Sequence, residues 1–300
     1  MTGSIMTPYP RFGGEDARPC SYAEARVTVL PVPYEGAVSY GRGTAGGPRA
    51  ILTASAQLEM YDEELDWCID EAGLFTLPPV AVCEGEAPEA IMRRIHGCAL
   101  KPLVDGKLLA VLGGAHSISY GVFTALQVTR ESPFSLLQID AHADLRPSYQ
   151  GTAHSHACIM ARAHELGLPF VQVGIRSLSA QERDFLRDTG LEANVFWARQ
   201  ILRAEDDGWM EEVVSRLEGD VYITVDIDGL DPGIVPATGT PEPGGLDWYT
   251  TLGLLRRVAE RRRVIGFDLT ELAPIAGLHA PDYTAARLVY KLMGYALRGE

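Results

Sequence analysis

The 300-residue chain is 46% hydrophobic and 22% charged, proportions of an ordinary globular fold, which exclude a disordered, collagenous or coiled-coil protein. Its 26 Lys and Arg against 40 Asp and Glu leave a net charge of −14. Such a field repels phosphate backbones and anionic lipid, so neither nucleic acid nor a membrane is an expected partner. Five scattered cysteines without a Cys-x-x-Cys pair suggest neither a disulfide framework nor a zinc knuckle. With no eighteen-residue apolar run and no visible secretion signal, a cytoplasmic location is expected.

Residues 1–22 read as an arm, because Pro8, Pro10, Gly13, Gly14 and Pro19 interrupt any period. Beyond it, short apolar runs at 27–32, 108–112, 135–139, 170–175, 195–197, 221–227 and 264–269 predict buried strands. Helical spacing fills 47–61, 88–104, 117–129, 156–166, 180–188, 206–217, 247–260 and 282–297. Strands hydrophobic throughout are covered on both faces, and alternation with helices gives right-handed parallel crossovers. The expected fold is an α/β, three-layer α/β/α sandwich with a mostly parallel central sheet, one domain over 23–300. A closed (βα)8 barrel is the competing arrangement.

Ligands gather at the carboxyl ends of parallel strands, and here those ends are acidic. Asp140 closes Ser-Leu-Leu-Gln-Ile-Asp, Asp226 closes Val-Tyr-Ile-Thr-Val-Asp, and Asp268 closes Val-Ile-Gly-Phe-Asp. If extended backbone continues through Asp140-Ala141-His142-Ala143-Asp144, its period of two brings two carboxylates and an imidazole to one side. Asp226-Ile227-Asp228 repeats the device, and His116 follows the Gly113-Gly114-Ala115 turn. Four carboxylates in one crevice demand a cation, and a mixed oxygen and nitrogen donor set suits Mn²⁺, Fe²⁺, Co²⁺ or Zn²⁺. Taken singly, an Asp-x-Asp at a strand end or a histidine after Gly-Gly is ordinary; their joint occurrence at strand exits carries the inference.

These motifs make the chain resemble the ureohydrolase family of arginases and agmatinases, nearest to its bacterial agmatinases. The resemblance runs through Gly113-Gly114-Ala115-His116-Ser117, Asp140 to Asp144, Ser155-His156, Asp226-Ile227-Asp228, Gly239-Thr240-Pro241 and Asp268-Leu269-Thr270-Glu271. It implies two Mn²⁺ per subunit, one held by His116, Asp140, Asp144 and Asp226, the other by His142, Asp140, Asp226 and Asp228. Two cations make water nucleophilic at neutral pH, as attack on a resonance-stabilised guanidinium requires. By the same resemblance Asp144 passes a proton to the departing amine, His156 shuttles protons, and Glu271 and Thr240 hold the guanidinium. It also implies a homotrimer or homohexamer.

The resemblance therefore implies hydrolysis of a small guanidino substrate, agmatine giving putrescine and urea. The alternatives are another guanidino compound such as 4-guanidinobutyrate, for which Arg146 would speak, and a metal-binding pseudoenzyme. Ala115 stands where the family usually has an acid, a departure that puts metal affinity in question. The segment after Gly174-Ile175-Arg176 lacks the acid with which arginases read an α-ammonium. Tyr149, His154 and residues 34–48 are candidate pocket walls without an assigned role.

Overall fold

The computed structural model describes residues 9–36 and 39–299; residues 1–8 of the expected arm lie outside them. Eight strands form one parallel sheet: β1 (Val27–Val32), β4 (Leu74–Thr76), β5 (Leu108–Gly113), β6 (Phe134–Ile139), β7 (Phe170–Ile175), β8 (Val195–Trp197), β9 (Asp220–Asp226) and β10 (Val264–Thr270). Their order is β4-β1-β5-β10-β9-β6-β7-β8, so the sheet is open and the barrel arrangement is set aside. A two-residue hairpin, β2 (Tyr61–Asp62) with β3 (Trp67–Cys68), stands apart.

Alternate residues of the strands feed two cores. Leu108, Ala110 and Leu112 pack with α1 (Gly47–Ser55), α7 (Gly208–Arg216), α8 (Trp248–Arg261) and α9 (Ala280–Arg298). Leu109 and Val111 face α2 (Pro88–Val104), α3 (Ser119–Thr129), α4 (Ile159–Glu165) and α5 (Ala180–Thr189). Helices on both sides of the sheet make the three layers. The described part of the arm is packed: Phe12 is buried, stacks with Tyr290, and donates its N–H to Thr76 Oγ1 at 2.9 Å.

The first predicted helix, 47–61, stops at Ser55. Residues 56–60 turn away and Tyr61 opens the hairpin, whose turn is tied by Asp62 Oδ1, an acceptor for the N–H groups of Glu64 and Leu65 and for Lys291 Nζ. The short edge strand β4 and the four-residue α6 (Ala198–Ile201) are additional to the expected elements. Asp268 does not close its strand. β10 runs on to Thr270, which leaves Asp268 fully buried within the sheet.

What positions the site is strand order. The central neighbours β5, β10, β9 and β6 come from widely separated parts of the chain, yet their carboxyl ends lie side by side. Ile139 pairs with Val225 and Thr270 with Asp226, so Asp140 and Asp226 leave the sheet at the same level, with Glu271 just beyond. Gly114 allows the chain after β5 to turn into this rim. A Cβ there would come within 2.0 Å of the Tyr34 carbonyl oxygen, a distance no side chain tolerates.

Candidate active site

All six expected metal donors meet at this rim. His116 Nδ1 lies 3.2 Å from Asp140 Oδ2, 3.3 Å from Asp144 Oδ2 and 3.5 Å from Asp226 Oδ2. His142 Nδ1 lies 3.0 Å from Asp228 Oδ2 and 3.6 Å from Asp140 Oδ1. Two overlapping groups, His116–Asp140–Asp226 and Asp140–His142–Asp228, share Asp140, and each could hold one ion.

Turns, rather than extended strand, bring these donors together. β6 ends at Ile139, and the His142 N–H folds back onto Asp140 Oδ1 at 2.6 Å. Asp144 takes a left-handed φ of 53°, while its carbonyl accepts from the N–H groups of Met160 and Ala161 at the start of α4. Residues 227–229 form a short 3-10 turn in which the Asp228 N–H donates to Asp226 Oδ1 at 3.0 Å. These residues converge as expected but not through a period of two, because short polar side chains capture nearby N–H groups once a strand ends.

The donor set fits divalent cations. His116 Nδ1 is buried with no hydrogen-bond partner, a costly state unless something electropositive sits among it and the three surrounding carboxylate oxygens. The other nitrogen, Nε2, lies 2.8 Å from Thr224 Oγ1, whose single proton goes to Asp268 Oδ1 at 2.7 Å. The hydroxyl must therefore accept from Nε2–H, so Nδ1 is the nitrogen that can offer a lone pair to a cation. Without one, burial opposes the charge of His116, but Asp140, Asp144 and Asp226 raise its pKa well above the ordinary value and Nδ1 keeps a proton. Tyr222 donates to the other oxygen of Asp268 at 2.9 Å. On the opposite side, Gln172 Nε2 donates to Gln138 Oε1 and Gln138 Nε2 to Asp140 Oδ2, at 2.5 and 2.7 Å.

Without cations the cluster retains protons. Burial, with the charge of Asp140 adding to it, pushes Asp144 up to about 7. Burial likewise raises Glu271 to about 8 and Asp226 well above the ordinary carboxylate value. Burial opposes the charged form of His142, but its contacts with Asp140 and Asp228 prevail and carry it up to about 12. Asp140 is the exception: burial works against its charge, yet the two histidines hold it below the usual range.

A cup of about 30 Å³ opens above the donors, lined by Ser39, Thr44, His142, His156, Thr240 and Glu271 among others. Glu271 has a left-handed φ of 63°, its N–H on the Gly114 carbonyl at 2.8 Å and its Oε1 accepting the His116 N–H at 2.6 Å. That strained conformation, fixed from both ends, aims a carboxylate into the cup. His156 Nε2 lies 2.7 Å from Ser39 Oγ, and its ring meets Tyr149 edge-on at 5.9 Å. Ala115 also lines the cup, so the expected acid is absent there and the buried Asp268 lies instead behind Thr224.

The cup shares Ser39, His142, Asp144, His156 and Thr240 with an outer chamber of about 330 Å³. Arg146, Tyr149, Glu182 and Glu242 line that chamber. His154 packs against Tyr120 and lies 3.9 Å from Glu89, and it lines neither cavity. Thr224, Gln138 and Gln172 escaped the sequence reading as site components, while Ser39 entered it only within the candidate wall 34–48 and Asp268 only as an acidic strand end; a polar residue inside an otherwise apolar strand was the available signal for Thr224, Gln138 and Gln172.

The arginase-family profile matches residues 25–294. N(1)-aminopropylagmatine ureohydrolase of Synechocystis is 43% identical over 281 residues, covering 92% of this chain and 90% of that protein. Agmatinase of Pyrococcus horikoshii is 32% identical, covering 92% of this chain and 93% of its own length. The solved agmatine ureohydrolase of Thermoplasma volcanium superposes with a TM-score of 0.84 at 30% identity, over 98% of this chain and 96% of that one. With its donor cluster at the same rim that orders its fold, the chain belongs to the arginase family and is a ureohydrolase, an enzyme that hydrolyses guanidino groups.

Proposed function

We propose that the protein converts N(1)-aminopropylagmatine and water to urea and spermidine, with agmatine as a shorter substrate, using two Mn²⁺ ions. The observation that carries the hydrolytic part is the orphaned His116 Nδ1 among the carboxylates of Asp140, Asp144 and Asp226, with the His142–Asp228 pair beside it. The longer substrate is supported by the outer chamber and by the aminopropylagmatine ureohydrolases at 41 to 43% identity. The expectation of agmatine as the first substrate is thereby widened to a tail with a second amine.

When bound, the cations supply the Lewis acidity that makes water a nucleophile at neutral pH. Glu271, anchored through Oε1 to the His116 N–H, pairs with the planar guanidinium, and Thr240 directs a hydroxyl to it from the facing loop. Held in this way, the guanidinium carbon faces the donors. As a C–O bond forms and the C–N bond to the tail breaks, Asp144 accepts a proton and delivers it to the departing nitrogen. His156, at the mouth of the cup and hydrogen-bonded to Ser39, carries the second proton of the water to the same nitrogen, which leaves as an ammonium. The products are urea and an ammonium-tailed amine.

The alternative of 4-guanidinobutyrate rested on a free Arg146. Its Nε is 3.8 Å from Glu182 Oε2 and its guanidinium lies over the Tyr149 ring at 5.1 Å, so its charge is engaged. Urea release from N(1)-aminopropylagmatine, agmatine, arginine and 4-guanidinobutyrate, by Mn²⁺-loaded and metal-stripped protein, tests the proposal. Turnover of the first two only with metal is the expected result; absence of urea from all four would end it.

A further inference from the structure

We infer that Glu242 reads the cationic amine tail of the substrate, its carboxylate pairing with an ammonium in the outer chamber. The substrate class rests on the guanidino-hydrolase function proposed above; the placement of Glu242 does not.

Residues 231–245 are fixed on the site by two devices. Asp231 accepts the N–H groups of Gly233, Gly244 and Gly245 at 2.9, 2.9 and 3.0 Å. Arg176 inserts beneath them, its Nη2 donating to the carbonyls of Asp228 and Glu242 at 2.7 Å each and its Nη1 to that of Gly174 at 3.1 Å. One planar guanidinium thus ties the backbone of Glu242 to that of a donor, Asp228. Thr240, two residues earlier on this segment, lines the cup, and Glu242 lines the chamber beyond it. A guanidinium seated at Thr240 therefore sends its tail past Glu242.

The charges of the chamber decide what tail it accepts. Arg146 faces Glu182, whose own oxygens are filled by the N–H groups of Leu145 and Ser179 and the Ser179 hydroxyl, at 2.7 to 3.0 Å. That pair cancels. Only the main-chain carbonyl of Glu242 is engaged, and its side-chain oxygens take part in no hydrogen bond or ion pair among the described residues. Arg176 acts on this carboxylate through space, but it is shared with Asp228, Asp140 and Asp231. The chamber keeps an uncompensated negative charge at Glu242, which attracts an ammonium and repels a carboxylate.

Glu242→Gln keeps the shape of the side chain and removes its charge. Urea release by the Mn²⁺-loaded full chain is measured with N(1)-aminopropylagmatine and with butylguanidine, whose tail is uncharged, and spermidine affinity is measured by calorimetry. The ratio of kcat/KM for the amine over butylguanidine is expected to fall about tenfold, chiefly through KM, with spermidine affinity falling in parallel. Glu242→Asp should recover part of both. An unchanged ratio and unchanged spermidine affinity in Glu242→Gln would overturn the role. If the wild-type chain releases urea from no compound, the hydrolase function falls by itself. Spermidine affinity then decides Glu242, a loss in the variant upholding its role and equality overturning it.

Discussion

Thr224 sets its hydroxyl 2.8 Å from Nε2 of His116, inside the sheet and on the side of the imidazole away from the carboxylates. The hydroxyl spends its proton on Asp268, which fixes the histidine with Nδ1 toward the rim. This contact does what a nearby acid does for a metal-ligating histidine: it sets the tautomer, holds the ring and raises its basicity. Thr224→Val leaves Nε2–H buried and unpaired and strips Asp268 of one of its donors. Mn²⁺ affinity, measured by calorimetric titration, should drop ~10- to 100-fold, and thermal stability should fall by about 1–3 kcal/mol. Thr224→Ser should recover most of both; a valine variant with unaltered Mn²⁺ affinity would show that the contact is only packing.

Asp228, a proposed metal donor, is also a brace, since its Oδ1 accepts the Ala141 N–H at 3.1 Å while Oδ2 faces His142. Asp228→Ala should abolish urea release, by more than the ~10- to 100-fold expected for a group behind the donors, with bound manganese reduced. Circular dichroism should remain that of the parent, because the strands around the site draw their stability from the two apolar cores. Undiminished turnover would remove the metal mechanism.

The proton-holding carboxylates give the metal-free protein a pH dependence with a definite sign. Asp144 at about 7 and Glu271 at about 8 lie above their unfolded values of about 3.9 and 4.3. Groups raised in this way stabilise the fold fully below the unfolded pKa and lose that contribution as pH rises through the folded one. His142, raised from 6.5 to about 12, acts in the same direction above neutrality, and the depressed Asp140 matters only at the acid end. EDTA-treated protein should therefore lose melting temperature between pH 5 and 9. Cations displace the same protons, so the gain in Tm on adding Mn²⁺ should widen over that range. A metal-free Tm that is flat or rising with pH would contradict this account.

The layers of the fold were legible because seven of the eight strands are mainly apolar runs without polar alternation, the pattern of a sheet covered on both faces. The residues that meet at the rim were legible for a related reason: a carboxylate is expelled from such a run unless the strand has reached the rim, as at Asp140 and Asp226. Asp268 defeats the same logic, because hydrogen bonds from Tyr222 and Thr224 let it remain inside. Strand order was not legible. Nothing local tells β10 to enter between β5 and β9, and that insertion is what brings Glu271 beside His116. The two-residue β2 and β3 are too short to show a period, and the three-residue edge strand β4 went unread although β8, of the same length, was read.

Gly114 connects fold and site most directly. It passes against the Tyr34 carbonyl, donates its N–H to the Val32 carbonyl at 3.0 Å, and offers its own carbonyl to the Glu271 N–H at 2.8 Å. The next residue, Ala115, donates to the Tyr34 carbonyl at 2.8 Å, so the turn that delivers His116 is pinned against the end of β1. In Gly114→Ala the new methyl group meets backbone, which cannot swing aside as a flexible side chain would. The turn must move, carrying His116 and the N–H anchor of Glu271 with it. Where the variant folds, kcat should fall and Mn²⁺ affinity weaken together, because one displacement disturbs a donor and the guanidinium anchor. Gly97→Ala is the matched control: Gly97 lies on α2 with nothing within 4 Å of an added Cβ, and alanine there should be neutral or slightly stabilising. Equal behaviour of the two variants in melting temperature and turnover would refute the close-approach role of Gly114.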